Sequence, residues 1–263
     1  MTARARAVTT LLLAAVISCE AHSVAGGQTP EVHVARRHPI EYYLSLPRGW
    51  TKDREWPVLI ALEGAGREFT LEHSEFVRAR GDRPYIVVTP LTLSNRGNYD
   101  PPYPYPPKLW QNGTGDFDMG GLRRIIDDIH EEYGGRSRVY LTGFSAGGHL
   151  AWAMAFTHPE LLAGVAPVDA NYTGRGVRSV STDSSRATLP IRSFQGDRDP
   201  HRPSLDTQWN HAEVVAESHG YGKLSRVIVP GGLHERMPER VFAWLDSLEA
   251  ARRPVTEPSQ GGR

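Results

Sequence analysis

Short apolar runs alternate with amphipathic stretches along most of the chain. Two early runs, residues 32–37 and 40–46, alternate apolar and polar positions, which is typical of an antiparallel strand pair at a sheet edge. Later runs are continuously apolar and of strand length, which indicates strands buried on both faces of a parallel sheet. We predict these strands at residues 57–62, 85–89, 139–142, 162–168, 191–195 and 224–229.

Helical spacing of apolar residues follows most of these strands. The pattern predicts helices at residues 69–80, 116–133, 146–158, 205–219 and 239–248. Alternation of strands with helices predicts an α/β domain over residues 31–250, built on a mostly parallel sheet of about eight strands with helices on both faces. A chain of 263 residues with 39% hydrophobic content can bury one such core.

The first 30 residues depart from this pattern. Arg4 and Arg6 precede an apolar run, residues 11–17, that is too short to span a bilayer but suits a secretory signal. The run leads into Val-Ile-Ser-Cys at residues 16–19, which resembles the lipobox of bacterial lipoproteins. We therefore expect a signal peptide at residues 1–18, lipid attachment at Cys19, and a membrane-anchored extracytoplasmic protein.

Two alternatives stay open for this end of the chain. An ordinary signal peptidase cut near residues 21–25 would give a secreted protein, and a buried N-terminal helix is the other reading. Residues 19–30 are rich in small and polar types and are expected to form a linker, whereas residues 251–263 are expected to be a disordered tail.

Charge and cysteine content narrow the range of partners. Lys plus Arg equal Asp plus Glu at 30 each, which does not favour nucleic acid or a strongly acidic partner. Contact with a membrane is expected only through a lipid at Cys19. The single cysteine cannot form an internal disulfide, and it cannot serve as a nucleophile if it is lipidated or removed.

The most informative motif is Gly143-Phe-Ser145-Ala-Gly147, which stands between a predicted strand and a predicted helix. In this context a G-x-S-x-G pattern predicts a tight, strained turn that exposes a serine hydroxyl. The sites of open parallel sheets form beyond the carboxyl ends of their strands. That rule brings together four loops, at residues 63–67, Ser145, residues 197–199 and His234.

A serine nucleophile needs a base and a group that orients the base. Among the histidines, His234 alone combines a position after a strand, preceding glycines and a place near the C-terminus; His149 is expected to point away along the helix. For the acid we favour Asp199, with Asp197 and Asp169 as alternatives. Ser145, Asp199 and His234 then follow the chain order that such sheets use for a triad.

Donors for an oxyanion are expected from backbone N–H groups. Ala146 follows the nucleophile directly, and Ala65, or Gly66 in its place, can supply a second donor from the Gly-rich loop. Glu63, Gly66, Tyr105 and Trp110 are candidate substrate-binding residues. The last two lie in a long connection, residues 91–115, that is rich in Pro and Tyr and forms either a cleft wall or a rigid cover.

These residues together resemble the α/β-hydrolase superfamily over residues 32–249. Arg138-Val-Tyr-Leu-Thr-Gly-Phe-Ser-Ala-Gly-Gly148, Gly196-x-x-Asp199 and Gly231-Gly-Leu-His234 are similar to the group of polyhydroxybutyrate depolymerases and feruloyl esterases. The oxyanion loop of that family commonly begins His-Gly, whereas this chain has Glu63-Gly64. A carboxylate there would oppose an oxyanion unless it is turned away or neutralised.

The expected function is an exported serine hydrolase that cleaves small or polymeric carboxylic esters through an acyl-enzyme on Ser145. The reaction requires no metal and no organic cofactor. A serine amidase or peptidase is the nearest alternative, because the same triad serves both bond types. A membrane-tethered binding protein that keeps the fold without catalysis is the alternative of a different class, and Glu63 is its main support.

Overall fold

The computed structural model describes residues 30–94, 105–106, 108 and 113–252. Cys19, Trp110, the expected signal peptide and almost all of the linker and tail lie outside the described residues, so those predictions stay predictions. Ala251 and Arg252, expected in the disordered tail, instead end the last helix. Within the described part, none of the helices combines the length and the apolar character needed to cross a membrane.

The described residues form one eight-stranded sheet flanked by five α-helices, which confirms the predicted α/β architecture. The strands are β1 (Val32–Val34), β2 (Glu41–Ser45), β3 (Val58–Leu62), β4 (Ile86–Pro90), β5 (Val139–Phe144), β6 (Leu162–Val168), β7 (Ile191–Gly196) and β8 (Leu224–Val229). The helices are α1 (Phe69–Arg80), α2 (Thr114–Tyr133), α3 (Ala146–Thr157), α4 (Arg202–Ser218) and α5 (Pro238–Arg252).

The strand order is β1-β2-β4-β3-β5-β6-β7-β8. The two short strands at one edge pair antiparallel, as their alternating pattern predicts, and β2 also pairs antiparallel with β4. All pairings from β4 onwards are parallel. Parallel neighbours present their carboxyl ends at the same edge, so the loops after β3, β5, β7 and β8 meet there.

Two hydrophobic clusters, one on each face, hold the helices to the sheet. Along β3 the side chains alternate between them, with Ile60 in one cluster and Leu59 in the other. Trp152 of α3 lies in the first cluster, and Phe242 of α5 lies in the second beside Phe76 of α1. This is why the central strands are apolar at every position rather than at every second one.

Replacement of Phe242 tests the second cluster. The ring is 0% exposed and lies 5.4 Å from the Tyr85 ring, centroid to centroid. Phe242→Ala is expected to lower the free energy of unfolding by about 3–5 kcal/mol, because it removes buried apolar surface and leaves a cavity. Urea denaturation measures the change. The control Val214→Ala, at a side chain that is 64% exposed, should change it by less than about 0.5 kcal/mol.

Candidate active site

The turn between β5 and α3 holds Ser145 in a backbone conformation that side chains rarely adopt, with φ of 49° and ψ of −117°. Close packing around the turn explains the two glycines of the motif. A β-carbon on Gly143 would lie 2.5 Å from the carbonyl oxygen of Gly147, and one on Gly147 would lie 2.4 Å from the carbonyl oxygen of Leu62. Both positions therefore require glycine for steric reasons.

Ser145, His234 and Asp199 form one hydrogen-bonded chain. The hydroxyl oxygen of Ser145 is 2.9 Å from His234 Nε2, and His234 Nδ1 is 2.7 Å from Asp199 Oδ2. The Asp199 side chain is fully buried, whereas that of His234 is 25% exposed. Because a carboxylate can only accept, it selects the tautomer with the proton on Nδ1 and leaves Nε2 to accept from the serine hydroxyl.

The two alternative carboxylates bind backbone groups of the loop that carries His234. Asp197 accepts from the N–H of Gly231 at 2.7 Å, and Asp169 accepts from the N–H of Glu235 at 3.0 Å. Burial raises the pKa of Asp169 to about 6. Of the three candidate acids, Asp199 is the one whose carboxylate is hydrogen-bonded to the His234 ring, and the other two hold the loop on either side of it.

The expected oxyanion donors flank the serine. Ala146 is the first residue of α3, so its N–H has no partner within the helix and lies at the positive end of the helix dipole. The backbone after β3 passes close to Ser145, since a β-carbon on Gly64 would lie 3.3 Å from Ser145 Cβ. The peptide that joins Gly64 to Ala65 therefore runs beside Ser145. Gly66 is exposed instead.

Glu63 does not stand as an unpaired charge beside this loop. Its side chain is 1% exposed and makes a two-pronged ion pair with Arg236, with Oε1 2.6 Å from Nη2 and Oε2 3.0 Å from Nε. Arg236 thereby neutralises the negative charge that the sequence suggested would oppose an oxyanion. Arg236 was not singled out by the sequence motifs, although it stands two residues after His234 in Gly-Leu-His-Glu-Arg.

The side chain of His149 does not lie where the sequence predicted. His149, expected to point away along α3, instead lines the same groove as Ser145 and His234. Its Nδ1 lies 3.1 Å from the carbonyl oxygen of Asn171, and burial lowers its pKa. The sequence does contain a signal for this placement of His149. It lies four residues after Ser145, and side chains one helical turn apart share a face.

Tyr105 does not form a wall of the groove around Ser145 and His234. It is 3% exposed and packs against Phe117, with ring centroids 4.9 Å apart. Its hydroxyl donates to the carbonyl oxygen of Leu91 at 2.9 Å and accepts from the N–H of Glu41 at 2.7 Å. A buried phenol hydroxyl needs hydrogen-bond partners, and here the backbone of residues 41 and 91 supplies them. At Tyr105 the connection is therefore a cover that is hydrogen-bonded to the sheet.

One group of side chains among the described residues has the spacing of a metal site, namely Asp199, His201 and His234, whose ligand atoms lie within 4.8 Å of one another. Two of its members already share a hydrogen bond of 2.7 Å. A cation would have to break that bond. The arrangement is suited instead to proton transfer, in which the imidazole takes the serine proton during attack on a carbonyl carbon.

Comparison with known proteins agrees with this geometry. The family model named Esterase, described as "Putative esterase", matches residues 35–168, which is about half of the chain. The chain belongs to the Esterase family. Its matched part contains the Ser145 turn and the loop after β3, whereas Asp199 and His234 lie beyond it.

Individual relatives of this Esterase chain are distant. It is 33% identical to "Putative esterase NocK" of Nocardia uniformis subsp. tsuyamanensis over 93 residues, which are 34% of this chain and 25% of that protein. Poly(aspartic acid) hydrolase-1 from Sphingomonas sp. KT-1 superposes with a TM-score of 0.59 at 15% identity, covering 82% of this chain and 98% of that chain.

The feruloyl esterase module from Clostridium thermocellum superposes with a TM-score of 0.51 at 15% identity, covering 78% of this chain and 80% of that chain. These two structural likenesses concern the fold. Together with the family match they confirm that the chain is an esterase-family member with the α/β-hydrolase fold, as its motifs predicted.

The choice among the acids can be tested through the reactivity of Ser145. Asp199→Asn should lower the rate of labelling by a fluorophosphonate by about 10³- to 10⁴-fold, because an amide no longer fixes the tautomer of His234. The measurement is the second-order rate constant of labelling at pH 7. Asp197→Asn, which changes a carboxylate bound only to the adjacent loop, is the matched control and should stay within about tenfold of wild type. Equal losses in the two variants would contradict the assignment.

Proposed function

We propose that the protein is an exported serine hydrolase that cleaves carboxylic esters through an acyl-enzyme on Ser145. The observation that carries this proposal is the continuous hydrogen-bonded chain from Ser145 through His234 to the buried Asp199. The strained turn at Ser145 and the N–H of Ala146, which has no partner within α3, add support, because both adjoin the same hydroxyl.

In the acylation half-reaction the Ser145 oxygen attacks the ester carbonyl carbon while its proton moves to His234 Nε2. Asp199 stabilises the resulting imidazolium through the Nδ1 proton. The carbonyl oxygen becomes an oxyanion that accepts from the N–H groups of Ala146 and Ala65. When the tetrahedral intermediate collapses, the carbon–oxygen bond to the alcohol breaks, and the leaving oxygen takes the proton from Nε2.

Deacylation repeats these steps with water as the nucleophile. His234 Nε2 accepts a proton from the water as the water oxygen attacks the acyl carbon, and returns it to Ser145 when the acid leaves. The groove around His234 allows water and alcohol to enter and leave, because the imidazole is partly exposed. No step uses a metal or an organic cofactor.

The surroundings of Ser145 support an uncharged substrate with two different ends. The groove shared by Ser145 and His234 is mostly polar and includes His149, Ser204 and Gln208. A second cavity, which Ala146 and His149 also line, is mostly apolar and includes Met119 and Leu150. We assign the apolar side to the acyl group and the polar side to the alcohol, which fits a small ester or the end of a polymer.

The non-catalytic alternative loses its main support, because the charge of Glu63 is paired with Arg236. The amidase alternative uses the same three residues, and the bond type is decided by measurement. Neither alternative is favoured by a separate feature of the described residues.

Hydrolysis of aryl esters is the direct test of the proposed reaction. Wild type should hydrolyse short-chain p-nitrophenyl esters, and Ser145→Ala should lower kcat/KM by about 10³-fold or more, because the nucleophile is removed. The rates are followed by absorbance over a series of acyl lengths. Anilides with the same acyl groups serve as the amide comparison.

Two results would contradict the proposal. Turnover that survives Ser145→Ala excludes this serine as the nucleophile. Faster cleavage of the anilide than of the matched ester would assign the protein to the amidases instead.

Export is the second part of the proposal, supported by the Arg-flanked apolar run and by Cys19. Expressed in a bacterium from the full sequence, the protein should fractionate with membranes and carry a lipid on Cys19 as its first residue. Cys19→Ser should abolish both. Mass spectrometry of the N-terminal peptide is the measurement. A mature chain that begins near residues 21–25 supports secretion instead, and an uncleaved cytoplasmic chain contradicts export.

A further inference from the structure

A buried cluster of charges lies behind the loop that follows β3. Its centre is the guanidinium of Arg236, which binds both oxygens of Glu63 and also lies 2.6 Å from Oε2 of Glu72. The side chains of Glu63 and Glu72 are 1% and 0% exposed. Two further carboxylates, of Glu68 and Glu75, approach the guanidinium from the solvent side, at 3.1 and 4.0 Å.

Glu63 and Glu72 both approach the same guanidinium. Two ionised carboxylates so close together repel each other, and the cost is high where water is excluded. Burial and the neighbouring Glu63 raise the pKa of Glu72 well above its usual range. This shift favours the neutral form of Glu72, and Glu63 makes the two-pronged ion pair with Arg236.

The position of the pair connects two parts of the site that are far apart in sequence. Glu63 begins the loop that contains Ala65, and Arg236 stands two residues after His234. The guanidinium carbon lies 5.3 Å from the centre of the Phe144 ring, and that ring lies 4.9 Å from the His234 ring. Phe144 also directly precedes the nucleophile.

We propose that Arg236 is a positioning residue that sets the oxyanion loop against the catalytic histidine by clamping Glu63, with Glu72 closing the cluster beneath them. The inference rests on the proposed esterase function. It assigns Glu63 a supporting role where the family pattern commonly has histidine, and it explains how a carboxylate is tolerated next to an oxyanion loop.

Such a clamp acts chiefly in the transition state. The Ala65 donor is useful only at hydrogen-bond distance from the developing oxyanion, and a displacement of about 1 Å can cost about 10²-fold in rate. An oxyanion exists only after attack, so loss of the Ala65 donor lowers kcat with little change in KM. If the ion pair were purely structural, its removal would lower thermal stability and leave kcat per folded molecule unchanged.

The experiment compares Glu63→Gln, Arg236→Met and the double variant with Glu75→Gln as the matched control. Glu75 is 4.0 Å from the guanidinium on its solvent side, so the same change of Glu to Gln there should keep kcat within about twofold. Each clamp variant should lose about 10- to 100-fold in kcat, with KM changed by less than about threefold. The double variant should lose no more than the worse single one, because the two residues act as a unit.

Arg236→Lys is the conservative variant. Lysine keeps the charge but cannot grip both oxygens of Glu63, so it should restore only part of the kcat lost in Arg236→Met. All rates are taken well below the melting temperature of each variant, so that unfolding does not enter. The low-field proton resonance of His234 Nδ1 gives a readout independent of turnover. Arg236→Met should shift or broaden it, and Glu75→Gln should not.

Several results would overturn the inference. An increase of kcat in Glu63→Gln would mean that Glu63 only opposes the oxyanion, and multiplied losses in the double variant would mean independent roles. Unchanged kcat and an unchanged His234 resonance in both clamp variants would reduce the pair to stability alone. Failure of the proposed function looks different, because wild type itself would then show neither ester turnover nor labelling of Ser145.

Discussion

The close approach of the Ser145 turn to the end of β3 is the constraint on which the site depends. At Gly147 there is no room for a side chain, because the carbonyl oxygens of Leu62 and Glu63 occupy the place of a β-carbon. The start of α3 is thereby packed against the next strand of the sheet. One strained residue then has a helix N-terminus on one side and the Gly64 backbone on the other.

Polar contacts, most of them partly buried, tie the remaining loops together. The loop after β8 is held by Asp197, by Asp169 and by the ion pair between Arg236 and Glu63. His234 stands between these attachments, where its two nitrogens reach Ser145 and Asp199. Rigid support of this kind suits a site whose donors must be in place before charge develops.

Much of the fold could be predicted because the signals are local. A parallel strand buried on both faces is apolar throughout, as at residues 162–168, where predicted and observed bounds agree. The serine turn could be predicted for the same reason, since it needs small residues within a few positions of Ser145. The predicted direction of the His149 side chain was wrong, because that direction depends on how α3 packs against the loop that contains Asn171.

The sequence by itself determined the alternation of strands and helices, the serine turn and the short set of acids and bases that could serve it. These follow from periodicity and from the steric needs of neighbouring residues. Only the tertiary structure decided that Asp199 rather than Asp197 or Asp169 touches His234, that Tyr105 is buried, and that Arg236 neutralises Glu63. Each of these is a contact across many residues of chain, formed when separate loops meet at one edge of the sheet, and no local pattern encodes such a distance.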